Sequence, residues 1–140
     1  MLKTAQAFID ELDRLGIKPE KAYDMTDGKS VVVCSRSGRH NAWYEVFFVF
    51  DRDESGVCMH ILRLVTFPED RTGQVFDALN ALNRKYRWLK FYSDNDCNIH
   101  VQEDAPLHGE DGGKYCVRML KRATRIIDDT YPDIMRALWA

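Results

Sequence analysis

Four histidines (His40, His60, His100, His108) and four cysteines (Cys34, Cys58, Cys97, Cys116) are the residues of this 140-residue chain best suited to chemistry. Imidazole titrates near neutral pH and a thiolate is a strong nucleophile, so acid–base, nucleophilic and metal-assisted reactions all have their residue types. The spacing supports none of them strongly. There is no H-E-x-x-H, no G-x-S-x-G and no C-x-x-C. Cys58 and His60 alternate on one side of a strand-like run and can point at one metal ion. Zinc needs three or four ligands, however, and only His100 or Cys97 is available to complete the set. A Cys–His nucleophile requires an accessible thiolate beside a basic group, whereas the cysteines have apolar or strand-like neighbours, apart from Cys97 beside a turn. The segment Asp51-Arg52-Asp53-Glu54-Ser55-Gly56 imitates the start of an EF-hand, but the twelfth position, where a bidentate glutamate is needed, is Leu62. The expectation is therefore reduced structural cysteines, a partly buried His60, and no catalytic residue, cofactor or metal.

Charge points the same way. Twenty basic and 22 acidic residues leave a net charge of −2, which gives no global field to attract nucleic acid or an anionic membrane. The run RKYRWLKFY, residues 84–92, interleaves cations with aromatics as single-strand nucleic-acid sites do. The plainer reading is that Tyr86, Leu89 and Phe91 are core while the cations stay wet. Arg118, Lys121, Arg122 and Arg125 read likewise as a solvated helix face. Nucleic acid is thus not the expected partner. Asp10, Glu11 and Asp13 interrupt any signal-peptide core near the start, and no apolar run reaches the 18 residues of a membrane span. A cytoplasmic protein is expected, with no membrane partner.

The elements that must position these residues follow from periodicity. Phe8, Ile9, Leu12 and Leu15 recur at helical spacing, with Thr4 as N-cap and Gly16 just past the C-terminus. Three strand-like runs follow at 30–36, 43–50 and 57–67, rich in β-branched and aromatic residues. A second helix carries Val75, Phe76, Leu79, Leu82 and Tyr86, with Asp70 or Thr72 as caps. Short strands at 89–93 and 97–103 flank the turn Asp94-Asn95-Asp96. Val117, Leu120, Thr124, Ile127, Tyr131, Ile134 and Leu138 mark a last helix, which Pro132 should kink or restart near Thr130. With 45% hydrophobic and 30% charged residues, the chain reads as one globular domain, 1–140. The fold class is α+β, in α-β-β-β-α-β-β-α order, with a mostly antiparallel five-stranded sheet.

The stretch ALNALNRKYRWLKFYSDNDCNIHVQED, residues 78–104, resembles the centre of the bacterial YbjN family. There a helix with an L-N-x-L-N repeat, here Leu79-Asn80-Ala81-Leu82-Asn83, leads into a basic-aromatic strand and a second strand ending in acidic residues. The order of elements matches over nearly the whole chain. The resemblance implies a fold similar to type III secretion chaperones, small dimers that bind partner polypeptides, and a role as a sensory-transduction regulator. It brings no catalytic residue. Asn80 and Asn83 are expected to hydrogen-bond to strand or loop backbone and hold helix to sheet.

Apolar surface gives the strongest positive signal. Val46 and Phe48 share a face with Met59 and Ile61, so the opposite face carries Trp43, Phe47, Val49, Leu62 and Leu64, with Glu45 and His60 as its ionisable members. A solvated antiparallel sheet normally alternates apolar with polar residues. That face is expected to be closed either by another chain or by the long last helix. The functional expectation is a non-catalytic, chaperone-like protein-interaction domain that binds a protein partner and forms a homodimer. The alternative is an enzyme or small-ligand-binding domain using His60, His100 or a cysteine.

Overall fold

The computed structural model of the protein describes residues 1–40 and 42–139. Helix α1 (Lys3–Arg14) precedes four consecutive strands, β1 (Lys21–Asp24), β2 (Ser30–Ser37), β3 (Trp43–Phe50) and β4 (Gly56–Thr66). Then come α2 (Thr72–Lys85), β5 (Lys90–Ser93), β6 (Asn98–Pro106) and α3 (Gly112–Trp139). The strands form one antiparallel sheet in the order β1-β2-β3-β4-β6-β5. It has six strands rather than the five expected. The additional one, β1, is a hairpin partner of β2. Met25 N–H donates to Lys29 O at 2.8 Å across the Thr26-Asp27-Gly28 turn, and Asp27 Oδ1 accepts Lys29 N–H. All four β1 residues are exposed, so no apolar alternation announces it.

The three helices pack on one face of the sheet. Ala5, Phe8 and Leu12 of α1, Val75, Leu79 and Leu82 of α2, and Met119, Leu120 and Ile127 of α3 join one buried cluster. The sheet contributes Val46, Phe48, Met59, Ile61, Phe91 and Val101 to it. Phe8 anchors α1, its ring centroid 4.5 Å from that of Phe48 and 6.1 Å from that of Phe50. Full burial of such a ring is worth roughly 3 kcal/mol. Where α1 crosses α3 the two backbones touch: a Cβ on Gly113 would stand 2.5 Å from Ala7 O.

The ends of α1 are held differently from expectation at one terminus and as expected at the other. Thr4 lies inside the helix, and the first-turn N–H groups are satisfied from a distance, Leu2 N–H by Ser30 Oγ and Thr4 N–H by Glu54 Oε1. At the C-terminus Gly16 adopts φ 73°, which lets Ile17 N–H reach back to Leu12 O at 2.9 Å. Neither Asp70 nor Thr72 caps α2; Thr72 Oγ1 donates instead to Glu69 O in the 3-10 turn before it. Helix α3 continues through Pro132 without the expected restart. A proline removes one helical donor, and the buried Ile134 and Leu138 beyond it keep the last turns packed.

Strand β4 is irregular. Ile61 pairs with Val101 and Val65 with Ile99, so β4 carries two more residues than β6 between these points, and Arg63 adopts φ 53° there. Leu64, beside this irregularity, is partly buried and packs against the core cluster. No helix among the described residues is long and apolar enough to cross a membrane.

Candidate interaction surface

Strand register fixes what lies on the face away from the helices. One row across the sheet reads Tyr23, Val31, Val49, Cys58, Asp104, and the next reads Lys21, Val33, Phe47, His60, Gln102, Lys90. Glu45 lies beside Ser35, and Trp43 beside Ser37, further along β3. The face is therefore apolar over β2 and β3 and polar over β6 and β5. Val31 and Val33 are sealed by their neighbours, Phe47 and Val49 are half-buried, and Trp43 stands 64% exposed. Leu62, in the irregular part of β4, is also exposed. Of the residues singled out in the sequence, Trp43, Glu45, Phe47, Val49 and His60 share this face, and Leu64, in the irregular part of β4, is partly buried against the core cluster. The helices, α3 included, all join the opposite face. Tyr23, Val31 and Val33 escaped sequence reasoning: the β1 strand was unmarked, and the Val31-Val32-Val33 run hid which valines point outward.

Several polar groups on this face are engaged in short-range contacts. Cys58 Sγ lies 2.9 Å from His60 Nε2. Burial, then the nearby Asp104 carboxylate, pushes the Cys58 thiol up to about 12. Burial lowers the His60 pKa, opposed by Asp104. Both shifts favour the uncharged forms, a thiol beside a neutral imidazole, and disfavour the thiolate that nucleophilic attack needs. His60 Nδ1 is buried with no hydrogen-bond partner among the described residues. His100 Nδ1 accepts Arg63 N–H at 3.0 Å, which assigns the proton to Nε2, and Nε2 donates to Asp94 Oδ2 at 2.6 Å. That bond, followed by Asn98 N–H, holds the Asp94 carboxyl down at about 2. The Tyr92 ring lies 5.2 Å from the His100 ring.

The other histidines and cysteines are elsewhere. His40 stacks on Tyr131 with ring centroids 6.4 Å apart, and His108 is exposed before the turn into α3. Cys34 and Cys116 are buried, and burial pushes their thiols up to about 11 and about 12. Cys97 sits half-buried in the β5–β6 turn at φ 61°. All four are free, and no three metal-ligating side chains converge among the described residues.

Asn83 makes a two-point contact with the sheet edge. Its Nδ2 donates to Phe91 O at 2.9 Å, and Phe91 N–H donates to its Oδ1 at 2.8 Å. The amide thus takes the place a neighbouring strand would occupy beside β5. Asn80 is exposed on the same helix and takes no part in this contact.

No curated protein and no solved structure matches the chain. A family model does: that of YbjN, described as "Putative bacterial sensory transduction regulator", over residues 7–135. With the match spanning nearly all of its length, the chain belongs to the YbjN family.

Proposed function

We propose that this YbjN-family chain is a non-catalytic, chaperone-like regulatory domain of the cytoplasm. It binds a polypeptide partner across the open sheet face and associates with itself as a homodimer through the same face. One observation carries the reading: three helices cover one side of the sheet, while on the side without them the exposed Trp43 and the half-buried Phe47 and Val49 form an apolar band beside the sealed Val31 and Val33. Contiguous apolar surface of this kind marks interfaces in folded proteins, and Trp is the residue type most enriched where binding energy concentrates. The protonated Cys58 and the internally paired His100 supply no reactive group that would favour an enzyme.

Light scattering across a wide concentration range tests the self-association. A dimer mass that falls to the monomer in Trp43→Asp, with unchanged circular dichroism, is the expected result. A monomer mass at every concentration removes the homodimer. A dimer indifferent to Trp43→Asp removes the face chosen here.

A further inference from the structure

We propose that α3 carries a second binding surface, for single-stranded nucleic acid, on the side of the molecule opposite the open sheet face. Between Gly112 and Ile127 the helix holds five cations, Lys114, Arg118, Lys121, Arg122 and Arg125, and no carboxylate. Lys114, Arg118, Lys121 and Arg125 are exposed, at spacings of four, three and four residues. At a rise of about 1.5 Å per residue they form one stripe, with steps of about 6, 4.5 and 6 Å. Arg14, Lys114, Arg118 and Lys121 also line a groove of about 430 Å³ between α1 and α3. Its two acids are Asp111 and Glu11, and Glu11 is already bonded to Arg14 at 2.6 Å.

Aromatic rings accompany the stripe. The Arg118 guanidinium lies 5.4 Å from the Tyr115 ring, and one helical turn on, the Arg122 guanidinium lies 4.6 Å from the Trp88 ring. Trp88 is 56% exposed and sits at φ 79°, a left-handed conformation that a bulky L-residue avoids. Such outliers persist where the surroundings impose them, and they cluster at binding sites. Arg122 is itself pinned from below, its Nη2 donating to the buried Glu103 Oε2 at 2.7 Å. The fold therefore presents an indole on a fixed cation at one end of a stripe in which cations outnumber the neighbouring acids Glu11 and Asp111. A groove that attracts phosphates beside a ring on which a base can stack is how single strands are held without sequence readout. An acidic polypeptide would satisfy the cations but has no use for the displayed indole.

The net charge of −2 does not oppose this locally. Charges more than about 8 Å apart are largely screened at physiological salt, so an approaching strand meets the stripe and not the molecular sum.

Fluorescence anisotropy with a labelled oligothymidylate tests the proposal on the whole chain. Neutralising about four phosphates predicts a single-strand salt slope near −3, so affinity falls about 50-fold between 50 and 200 mM salt. The exposed pair Arg118→Glu/Lys121→Glu should weaken binding at least tenfold. Saturation should quench tryptophan emission, and Trp88→Leu should weaken binding about tenfold and remove that quenching. Circular dichroism of the variants checks that each remains folded. Absence of binding at 50 mM salt overturns the proposal. So does binding that Trp88→Leu leaves intact, or binding that polyglutamate displaces as readily as unlabelled oligothymidylate.

Discussion

The carboxylate of Glu54, in the turn between β3 and β4, accepts the backbone N–H of Thr4 at 3.0 Å, fifty positions earlier in the chain. A carboxylate at a helix N-terminus satisfies a donor that the helix cannot and complements its dipole. Glu54 itself is left-handed, at φ 63°. Glu54→Ala should cost about 1 kcal/mol, as for loss of a local cap, and Glu54→Gln should cost less because an acceptor oxygen remains. Urea denaturation measures both. Equal stability of the alanine variant and wild type would show that the contact contributes nothing.

Asn83 offers a larger effect. Asn83→Ala removes two hydrogen bonds to Phe91 and leaves its N–H and C=O without those partners. At about 1 kcal/mol per bond the loss should be about 2 kcal/mol. Hydrogen exchange at the Phe91 amide, faster in the variant than in the rest of β5 and β6, separates this local effect from global loss.

The Glu103–Arg122 pair is buried on its acidic side: Glu103 is 4% exposed, and burial raises its pKa against the pull of Arg122. Removing one partner of such a pair strands the other charge, so Arg122→Met should destabilise by about 3 kcal/mol. The double variant Glu103→Met/Arg122→Met should recover most of that, because the pair costs more to break than to replace. A double variant no more stable than the single one would refute this.

Acid should loosen the β5–β6 turn. The Asp94 carboxyl is depressed from its ordinary value near about 3.9 to about 2, chiefly by the bond from His100. A group lowered by folding adds stability that is fully present above its unfolded pKa and lost as pH falls through its folded pKa. Stability should therefore drop between about pH 4 and pH 2, and Asp94→Asn should flatten that part of the curve while lowering stability at pH 6. Thermal melts at a series of pH values check both signs.

Strongly patterned elements were legible in the sequence. The run from Trp43 to Phe50 is apolar on both faces apart from Glu45, but its β-branched and aromatic residues marked a strand, and strand parity assigned Phe48 inside and Phe47 outside, as the structure has them. Strand β1 was invisible because KAYD buries neither face and owes its form to pairing with β2. The irregularity in β4 was invisible because VCMHILRLVT reads as one continuous strand, and nothing local marks Arg63 as left-handed. Thr4 has the right residue type for a cap, but a carboxylate distant in sequence does the work. The meeting of Trp88 with Arg122 likewise joins two stretches that sequence reasoning treated apart, since proximity in space between the β5 approach and mid-α3 depends on how α2 and α3 pack. Asn83 was marked by its place beside Asn80 on α2, yet only coordinates single out the one that reaches Phe91.

The two rims of the sheet differ: on β5 a side-chain amide holds the N–H and C=O of Phe91, and the opposite rim is the exposed strand β1. Endless stacking of copies needs two receptive rims on every subunit. With the N–H and C=O of Phe91 already bonded to Asn83, the β5 rim offers an incoming strand one fewer pair of backbone groups, which disfavours edge-to-edge growth on that side.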